Sequence, residues 1–164
     1  MADVLAGLQT TLIDTVATDG ELFTTPVESL STGTIVVDGC AYSGPPQAPF
    51  TLQIHHGRVT NIADLDLDDE QQRMVYHDLT RDENASVLAE LGIGINPGAR
   101  WDKDLMESEQ ARGTCHFGFG HNLPYGGQNP SSYHFDLVIL RPTIHVGGRT
   151  ICRQGEYVQE ITED

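Results

Sequence analysis

Apolar residues near the start of the chain recur at the spacing of an α-helix. The spacing covers positions 4–17 and relates Val4, Leu5, Leu8, Leu12, Ile13 and Val16. Asp3 precedes them at the position of a helix N-cap. We therefore predict an amphipathic helix over 4–17, within a helical N-terminal segment at 1–19, whose apolar stripe packs on the domain or on a partner.

Beyond residue 20 the apolar runs are short and predict strands. Two of these runs, 50–55 and 58–62, flank His56-Gly57, and this arrangement predicts a β-hairpin. The complete set of predicted strands is 21–24, 34–38, 50–55, 58–62, 86–95, 113–119, 133–140, 143–146, 149–152 and 156–159.

Two segments between the predicted strands have the pattern of short helices. The first covers about 68–79 and begins with acidic residues, which suit the positive end of a helix dipole. The second covers about 102–111. With Gly147-Gly148 as the turn of a C-terminal hairpin or meander, the order of elements predicts one α+β domain over 1–164. This domain is dominated by antiparallel strands and has its core at 20–164.

The charge of the chain is strongly unbalanced. It carries 24 acidic residues against nine basic ones, which gives a net charge of −15. Nucleic acid and anionic membrane are therefore unfavourable partners, because a phosphate-binding surface needs clustered Lys and Arg. A basic peptide or protein is electrostatically favoured, although a solvated acidic surface explains the same composition more simply.

The sequence indicates neither a membrane helix nor a signal peptide. The three cysteines, Cys40, Cys115 and Cys152, form an odd set without patterned spacing. We expect them to be reduced thiols, as in cytoplasmic proteins. Cys115 adjoins His116 on a predicted strand, so alternation places the two side chains on opposite faces.

The segment 113–136 holds the residues best suited to chemistry. His116 lies on one predicted strand, a glycine-rich turn follows, and His134 and Asp136 lie on the next predicted strand. Side chains two positions apart on a strand point to the same face, so His134 and Asp136 face the same way. A ligand from the facing strand would complete a cluster of two histidines and one carboxylate, which suits zinc or non-heme iron.

Two glutamates earlier in the chain are further candidates. Glu90 interrupts an apolar run, and a carboxylate in a buried strand must pair, hydrogen-bond, bind metal or protonate. The alternative is that strand alternation turns Glu90 toward solvent. Glu21 lies where a turn enters a strand, and by itself it is an ordinary glutamate.

Three residues flank the predicted cluster. His121 is an extra ligand or a substrate contact, and Tyr125 and Tyr133 either stabilise an oxyanion or line a peptide groove. The sequence contains no nucleophile elbow, phosphate-binding loop or dinucleotide fingerprint. It therefore gives no support to serine or cysteine catalysis.

Four motifs stand in order along the chain. They are Gly20-Glu-Leu-Phe-Thr-Thr-Pro, Ala89-Glu-Leu-Gly-Ile-Gly-Ile-Asn-Pro, Gly113-Thr-Cys-His-Phe-Gly-Phe-Gly-His-Asn and Gly126-Gly-Gln-Asn-Pro-Ser-Ser-Tyr-His-Phe-Asp. Together they resemble the C-terminal metal-binding domain of the aminopeptidase T-like metallo-aminopeptidases, whose first motif is Gly-Glu-Val-Phe-Thr-Ala-Pro. The resemblance implies a dinuclear metal centre with the ligands Glu21, Glu90, His116, His134 and Asp136. A related branch of the fold, the dihydroxypyridine dioxygenases, is understood to hold one iron through two histidines and an aspartate, so zinc and iron both stay open.

The chain also departs from this family. Only 19 residues precede Gly20, where the family's enzymes carry an additional domain. His121 stands in place of an aspartate, Leu123 in place of a tyrosine found in some members, and Glu109-Gln110 in place of an acidic-basic pair. Short stand-alone proteins that resemble this domain occur in crocagin-type ribosomal-peptide pathways, where the implied role is to bind the precursor peptide for a partner enzyme.

The sequence leads to three hypotheses. The first is a peptide-binding accessory protein on a truncated metallo-aminopeptidase scaffold. It acts with a partner enzyme in ribosomal-peptide natural-product biosynthesis and forms a homodimer that covers exposed apolar surface. The alternative is an active metalloenzyme, either an aminopeptidase-like hydrolase or a non-heme iron oxygenase. The third is a structural subunit whose missing domain is supplied by another chain.

Overall fold

A computed structural model describes residues 12–17 and 20–158 of the chain. Two α-helices lie in this part, α1 (Glu70–Leu79) and α2 (Leu105–Gln110). Neither is long and apolar enough to cross a membrane. The strands are β1 (Leu12–Ala17), β2 (Glu21–Pro26), β3 (Gly33–Val37), β4 (Phe50–His55), β5 (Arg58–Val59), β6 (Leu88–Gly94), β7 (Thr114–Gly120), β8 (His134–Leu140), β9 (Ile144–Val146), β10 (Arg149–Arg153) and β11 (Glu156–Tyr157).

The strands form three antiparallel sheets. The largest has five strands in the order β1-β2-β6-β7-β8, and the two smaller sheets have the orders β3-β4-β5 and β11-β10-β9. The hairpin predicted at His56-Gly57 is confirmed, because Ile54 pairs with Val59 in the β4–β5 ladder. The α+β class with two short helices is therefore confirmed for the described residues.

The predicted N-terminal helix is wrong where it can be compared with the structure. Positions 12–17 form β1, which pairs with β2 through Thr15 opposite Thr24 and Val16 opposite Phe23. The earlier part of that prediction, positions 4–11, lies outside the described residues. The sequence of β1 is rich in β-branched residues, and pairing with the free edge of β2 outweighs the helical spacing of its apolar positions.

One face of the five-stranded sheet packs against the β3-β4-β5 sheet and α1. The buried side chains of this core include Ile35, Val37, Leu52, Ile54, Val75, Leu79, Leu88, Phe117, Phe119, Phe135 and Leu137. Cys115 also belongs to this core, as alternation against His116 predicts, and all three cysteines are free and buried. The opposite face of the sheet is therefore left for polar residues.

Two short segments lie against that opposite face. The end of α2 approaches it at Gly94, where a Cβ would meet the carbonyl oxygen of Glu109 at 2.7 Å. A 3-10 helix at Leu123–Tyr125 belongs to the loop between β7 and β8, and Thr25 on β2 donates a 2.8 Å hydrogen bond to the carbonyl oxygen of Tyr125. The polar face is thus enclosed by α2 and by the β7–β8 loop.

Candidate metal centre

The structure brings together the five side chains that the sequence predicts as metal ligands. They come from four adjacent strands and share the polar face of the sheet: Glu21 on β2, Glu90 on β6, His116 on β7, and His134 and Asp136 on β8. Because the strands are neighbours, residues far apart in the chain lie side by side.

Glycines on the neighbouring strands make room for these side chains. Every one of the five pairs directly with a glycine: Glu21 with Gly94, Glu90 and Asp136 with Gly118, His116 with Gly92, and His134 with Gly120. The imidazole of His116 occupies the volume that a Cβ on Gly92 would fill. A Cβ on Gly118 would lie only 2.7 Å from the Oδ1 atom of Asp136 and from the Nε2 atom of His134.

A β-bulge at Ala89 turns Glu90 toward this face. Leu88 pairs with Phe119 and Glu90 pairs with Gly118, so β6 advances two residues while β7 advances one. An extra residue of this kind lets two positions that strict alternation would put on one face point to opposite faces. Leu88 therefore enters the apolar core while Glu90 joins the histidines.

The side chains form two contiguous groups that share Glu90. In the first group, the Nε2 atom of His134 lies 3.2 Å from Asp136 Oδ1 and 3.4 Å from Glu90 Oε2. The ligand atoms of these three residues all lie within 4.8 Å of one another. In the second, the Nε2 atom of His116 lies 3.4 Å from Glu90 Oε1 and 3.6 Å from Glu21 Oε2.

The two imidazoles are held differently at their other nitrogen. The Nδ1–H group of His134 donates to the carbonyl oxygen of His121 at 2.7 Å, so Nε2 is the nitrogen that faces Asp136 and Glu90. The Nδ1 atom of His116 is buried and has no hydrogen-bond partner among the described residues. The His116 ring therefore makes its polar contacts through Nε2, which faces Glu90 and Glu21.

The surrounding carboxylates stabilise positive charge on both rings. Burial lowers the pKa of His116, but the Glu90 hydrogen bond and the charges of Asp136 and Glu109 raise it to about 9. Burial likewise lowers the pKa of His134, and its bonds to Asp136 and the His121 carbonyl, with the nearby Glu90 charge, raise it to about 9. The carboxylates of the cluster therefore favour a positive charge at this place, either on the histidines or on a bound cation.

Glu109 is a fourth carboxylate of the site, and the predicted ligand set does not include it. It lies buried near the end of α2, and burial together with the charges of Asp136, Glu21 and Glu90 raises its pKa to about 8 despite the opposing charge of His116. The sequence offers one indication of a special role for Glu109. A glutamate in the last turn of a helix is unfavourable, because its charge is repelled by the negative end of the helix dipole. In the metal-free protein this carboxyl therefore keeps its proton to a higher pH than an exposed glutamate does.

The three flanking residues take different positions. Tyr125 lies at the site, with its ring edge-on to His134 at a centroid distance of 5.5 Å. The ring of His121 accepts a 3.4 Å hydrogen bond from the backbone N–H of Ser131, and its carbonyl oxygen orients His134. Tyr133 stacks on Phe135 of the apolar core, with Arg81 over its ring, and so lies on the other face of the sheet.

The donor set fits a divalent metal ion. Two imidazole Nε2 atoms and the carboxylates of Glu21, Glu90 and Asp136 converge in a glycine-lined hollow, and nitrogen with carboxylate oxygen suits iron or zinc. Glu90 holds one oxygen toward each histidine. The donors could therefore hold one ion or two.

Comparison with solved structures shows the fold in other proteins. The 2,5-dihydroxypyridine dioxygenase of Pseudomonas putida KT2440 superposes with a TM-score of 0.70 and 22% identity, over 87% of this chain and 44% of that chain. Wild-type AmpT of Thermus thermophilus, an aminopeptidase T, superposes with a TM-score of 0.56 and 17% identity, over 93% of this chain and 45% of that one. The aminopeptidase-like fold is thus supported, and this chain spans less than half the length of either protein.

Sequence comparison identifies the family. Among functionally curated proteins no significant match is found. Residues 14–159 match the sequence profile described as NicX: 2,5-dihydroxypyridine 5,6-dioxygenase. The matched range contains all five side chains of the cluster and most of the chain. The chain therefore belongs to the 2,5-dihydroxypyridine 5,6-dioxygenase family.

Proposed function

We propose that this chain is the metal-binding part of a dioxygenase that uses one iron(II) ion and acts on a dihydroxylated aromatic ring. The observation that carries the proposal is the group Glu90, His134 and Asp136, whose ligand atoms lie within 4.8 Å of one another in a chain of this family. His116, on the other side of Glu90, supplies a second imidazole.

The residues around this group fit the role. Iron(II), when bound, would supply the reaction with dioxygen, and imidazole with carboxylate donors, as in His134, Glu90 and Asp136, suits that ion. The His121 carbonyl fixes the orientation of His134, so Nε2 faces the site and would bind the metal once it loses its proton. Glu109 is buried beside the cluster, and a carboxyl in that place could exchange a proton with a hydroxyl of a bound ring.

A second candidate is an aminopeptidase-like hydrolase with two metal ions. Glu90 directs one oxygen to each histidine, so His116 with Glu21 could hold one ion and His134 with Asp136 another, with Glu90 as a donor to each. The likeness of the fold to AmpT is consistent with this candidate. The number of metal ions per chain separates the two.

The comparisons favour a metalloenzyme over the peptide-binding accessory role that the sequence first suggested. Family and fold neighbours are a dioxygenase and an aminopeptidase, and neither indicates ribosomal-peptide biosynthesis. Binding of a precursor peptide stays a hypothesis, which calorimetry with candidate peptides tests directly.

Metal titration followed by oxygen uptake tests the proposal. The protein is titrated with iron(II) without air, and oxygen consumption is then recorded with 2,5-dihydroxypyridine. We expect one iron per chain and ring-dependent oxygen uptake, both lost in His134→Ala and both kept in His77→Ala, whose histidine lies on α1. Two ions per chain with hydrolysis of leucyl anilide would establish the hydrolase instead, and one ion without oxygen uptake would contradict the dioxygenase.

A further inference from the structure

An aromatic pair adjoins the candidate metal centre. The ring of Phe23 lies edge-on to Tyr125 with centroids 5.6 Å apart, and Tyr125 lies edge-on to His134 with centroids 5.5 Å apart. Phe23 points to the polar face because it follows Glu21 by two residues on β2, and it pairs with Gly92. The three rings therefore form a continuous row that ends at a candidate ligand.

Tyr125 stands close to the charged groups of the site. Burial raises the pKa of its phenol, and the carboxylates of Glu90, Asp136, Glu21 and Glu109 raise it further. The side chain is nevertheless 37% exposed. A ring that is near the ligands and also open to the surroundings can contact a molecule that binds the metal.

Hydrogen bonds from both sides anchor the loop that carries Tyr125. Asn122 is fully buried, donates to the Oε1 atom of Glu28 at 2.9 Å, and accepts from the backbone N–H of Asn129 at 2.8 Å. Thr25 fixes the carbonyl of Tyr125, and Gly126 ends the 3-10 turn with a φ of 87°. A recognition surface built this way is pre-organised, so little entropy is lost when a ligand binds.

We propose that Tyr125 and Phe23 form the wall against which a planar, dihydroxylated aromatic ring lies while its oxygen atoms bind the metal ion. The proposal deepens the proposed dioxygenase function and rests on it. Edge-on and offset contacts between aromatic rings favour flat unsaturated ligands over saturated ones, which gives the wall selectivity. Tyr125 is then a recognition residue that touches the substrate through its ring.

Calorimetry with zinc-loaded protein tests the wall without turnover. Zinc has no redox chemistry, so 2,5-dihydroxypyridine stays intact during an anaerobic titration. The variants are Tyr125→Leu, Tyr125→Phe and Phe23→Leu. The matched control is Tyr133→Leu, because Tyr133 is 38% exposed against 37% for Tyr125 but lies on the other face of the sheet. The zinc content of each variant is measured in parallel.

We expect binding of the ligand to depend on the aromatic side chains at positions 125 and 23. Tyr125→Leu and Phe23→Leu weaken ring binding about fivefold or more, the size expected when one aromatic contact is lost. Tyr125→Phe and Tyr133→Leu stay close to wild type, and zinc content is unchanged in all four. Equal ring affinity in wild type and Tyr125→Leu, or equal losses in Tyr125→Leu and Tyr133→Leu, would overturn the wall alone. Wild-type protein that holds zinc but does not bind the ring would overturn both the wall and the proposed substrate class.

Discussion

Each candidate ligand has a glycine opposite it on one neighbouring strand. A side chain at Gly92 or Gly118 would occupy the space of an imidazole or a carboxylate. The usual effect of glycine in a strand is to weaken it, because it adds backbone entropy and leaves nothing to pack. Here the lost packing is replaced by the ligand side chains, which cross over the glycines and meet above the sheet.

Gly118→Ala tests this role of glycine. The new methyl group would meet Asp136 Oδ1 and His134 Nε2 at 2.7 Å, so both side chains must move. We expect metal affinity to fall about tenfold or more, as when the surroundings of a ligand are disturbed. The metal-free protein should lose about 1–3 kcal/mol of unfolding free energy through overpacking. Metal titration and denaturant unfolding measure the two effects.

Gly98→Ala is the matched control. Gly98 is exposed, and the nearest atom to an added Cβ is Asn96 Oδ1 at 3.3 Å. This variant should keep wild-type metal affinity and stability. If Gly118→Ala bound metal as tightly as Gly98→Ala, the glycine-lined hollow would not be where the metal lies.

At the scale of elements, the bulge in β6 decides whether Glu90 reaches the site. The sequence places Glu90 among apolar residues and leaves two outcomes open, burial with partners or exposure to solvent. The extra residue at Ala89 resolves this by moving Leu88 and Glu90 to opposite faces. No residue type in this segment signals a bulge, so the pairing with β7 is needed to see it.

β1 is a second element whose structure depends on strand pairing that the local sequence does not reveal. Its apolar residues fit a helical spacing, and its β-branched residues fit a strand equally well. The free edge of β2, which no local pattern reveals, settles the choice. Local signals were sufficient for α1, for the β4–β5 hairpin and for the C-terminal strands, because each of these is stabilised by neighbours in sequence.

The β7–β8 loop carries a prediction of its own. Asn122→Ala leaves the Glu28 carboxylate without one donor and the Asn129 N–H without its acceptor, so we expect a loss of about 1–3 kcal/mol in unfolding free energy. Gln128→Ala is the control, since Gln128 contacts Glu28 through its backbone N–H, which the substitution leaves in place. Thermal unfolding measures both variants, and equal stability of the two would contradict the anchoring role of Asn122.

At the scale of the whole molecule, the sequence predicts the class of fold and the members of the site better than it predicts their arrangement. His116, His134 and Asp136 follow from strand alternation and a glycine-rich turn. Glu21 came only from the family resemblance, because a glutamate at the start of a strand is ordinary. Glu109 was missed, since its role depends on how α2 packs against the sheet at Gly94.

The same buried charges make the metal-free protein sensitive to pH. Folding raises the pKa of His116 and His134 from 6.5 to about 9, so their stabilisation is full below pH 6.5 and is lost as pH rises to about 9. Folding also raises the pKa of Glu109 from 4.5 to about 8, so its contribution declines between those values. All three groups bind protons more tightly in the folded protein, and stability must therefore fall with rising pH.

Denaturant unfolding with a chelator present measures this effect. Between pH 6.5 and 9 we expect the unfolding free energy to fall by at least about 2 kcal/mol. Glu109→Gln should show a smaller fall, because the amide does not titrate. Metal affinity should instead increase as the pH rises, because the histidines must lose their protons to bind the metal. Stability that is constant or rises over this range would contradict the charged cluster.

The most direct test of the central claim is an anomalous difference map, recorded at the iron edge from crystals grown with iron(II) in the absence of air. The account predicts one strong peak on the polar face of the five-stranded sheet. The peak should lie about 2.0–2.2 Å from His134 Nε2 and from carboxylate oxygens of Glu90 and Asp136. A map without a peak there, or with the metal on a different surface, would contradict it.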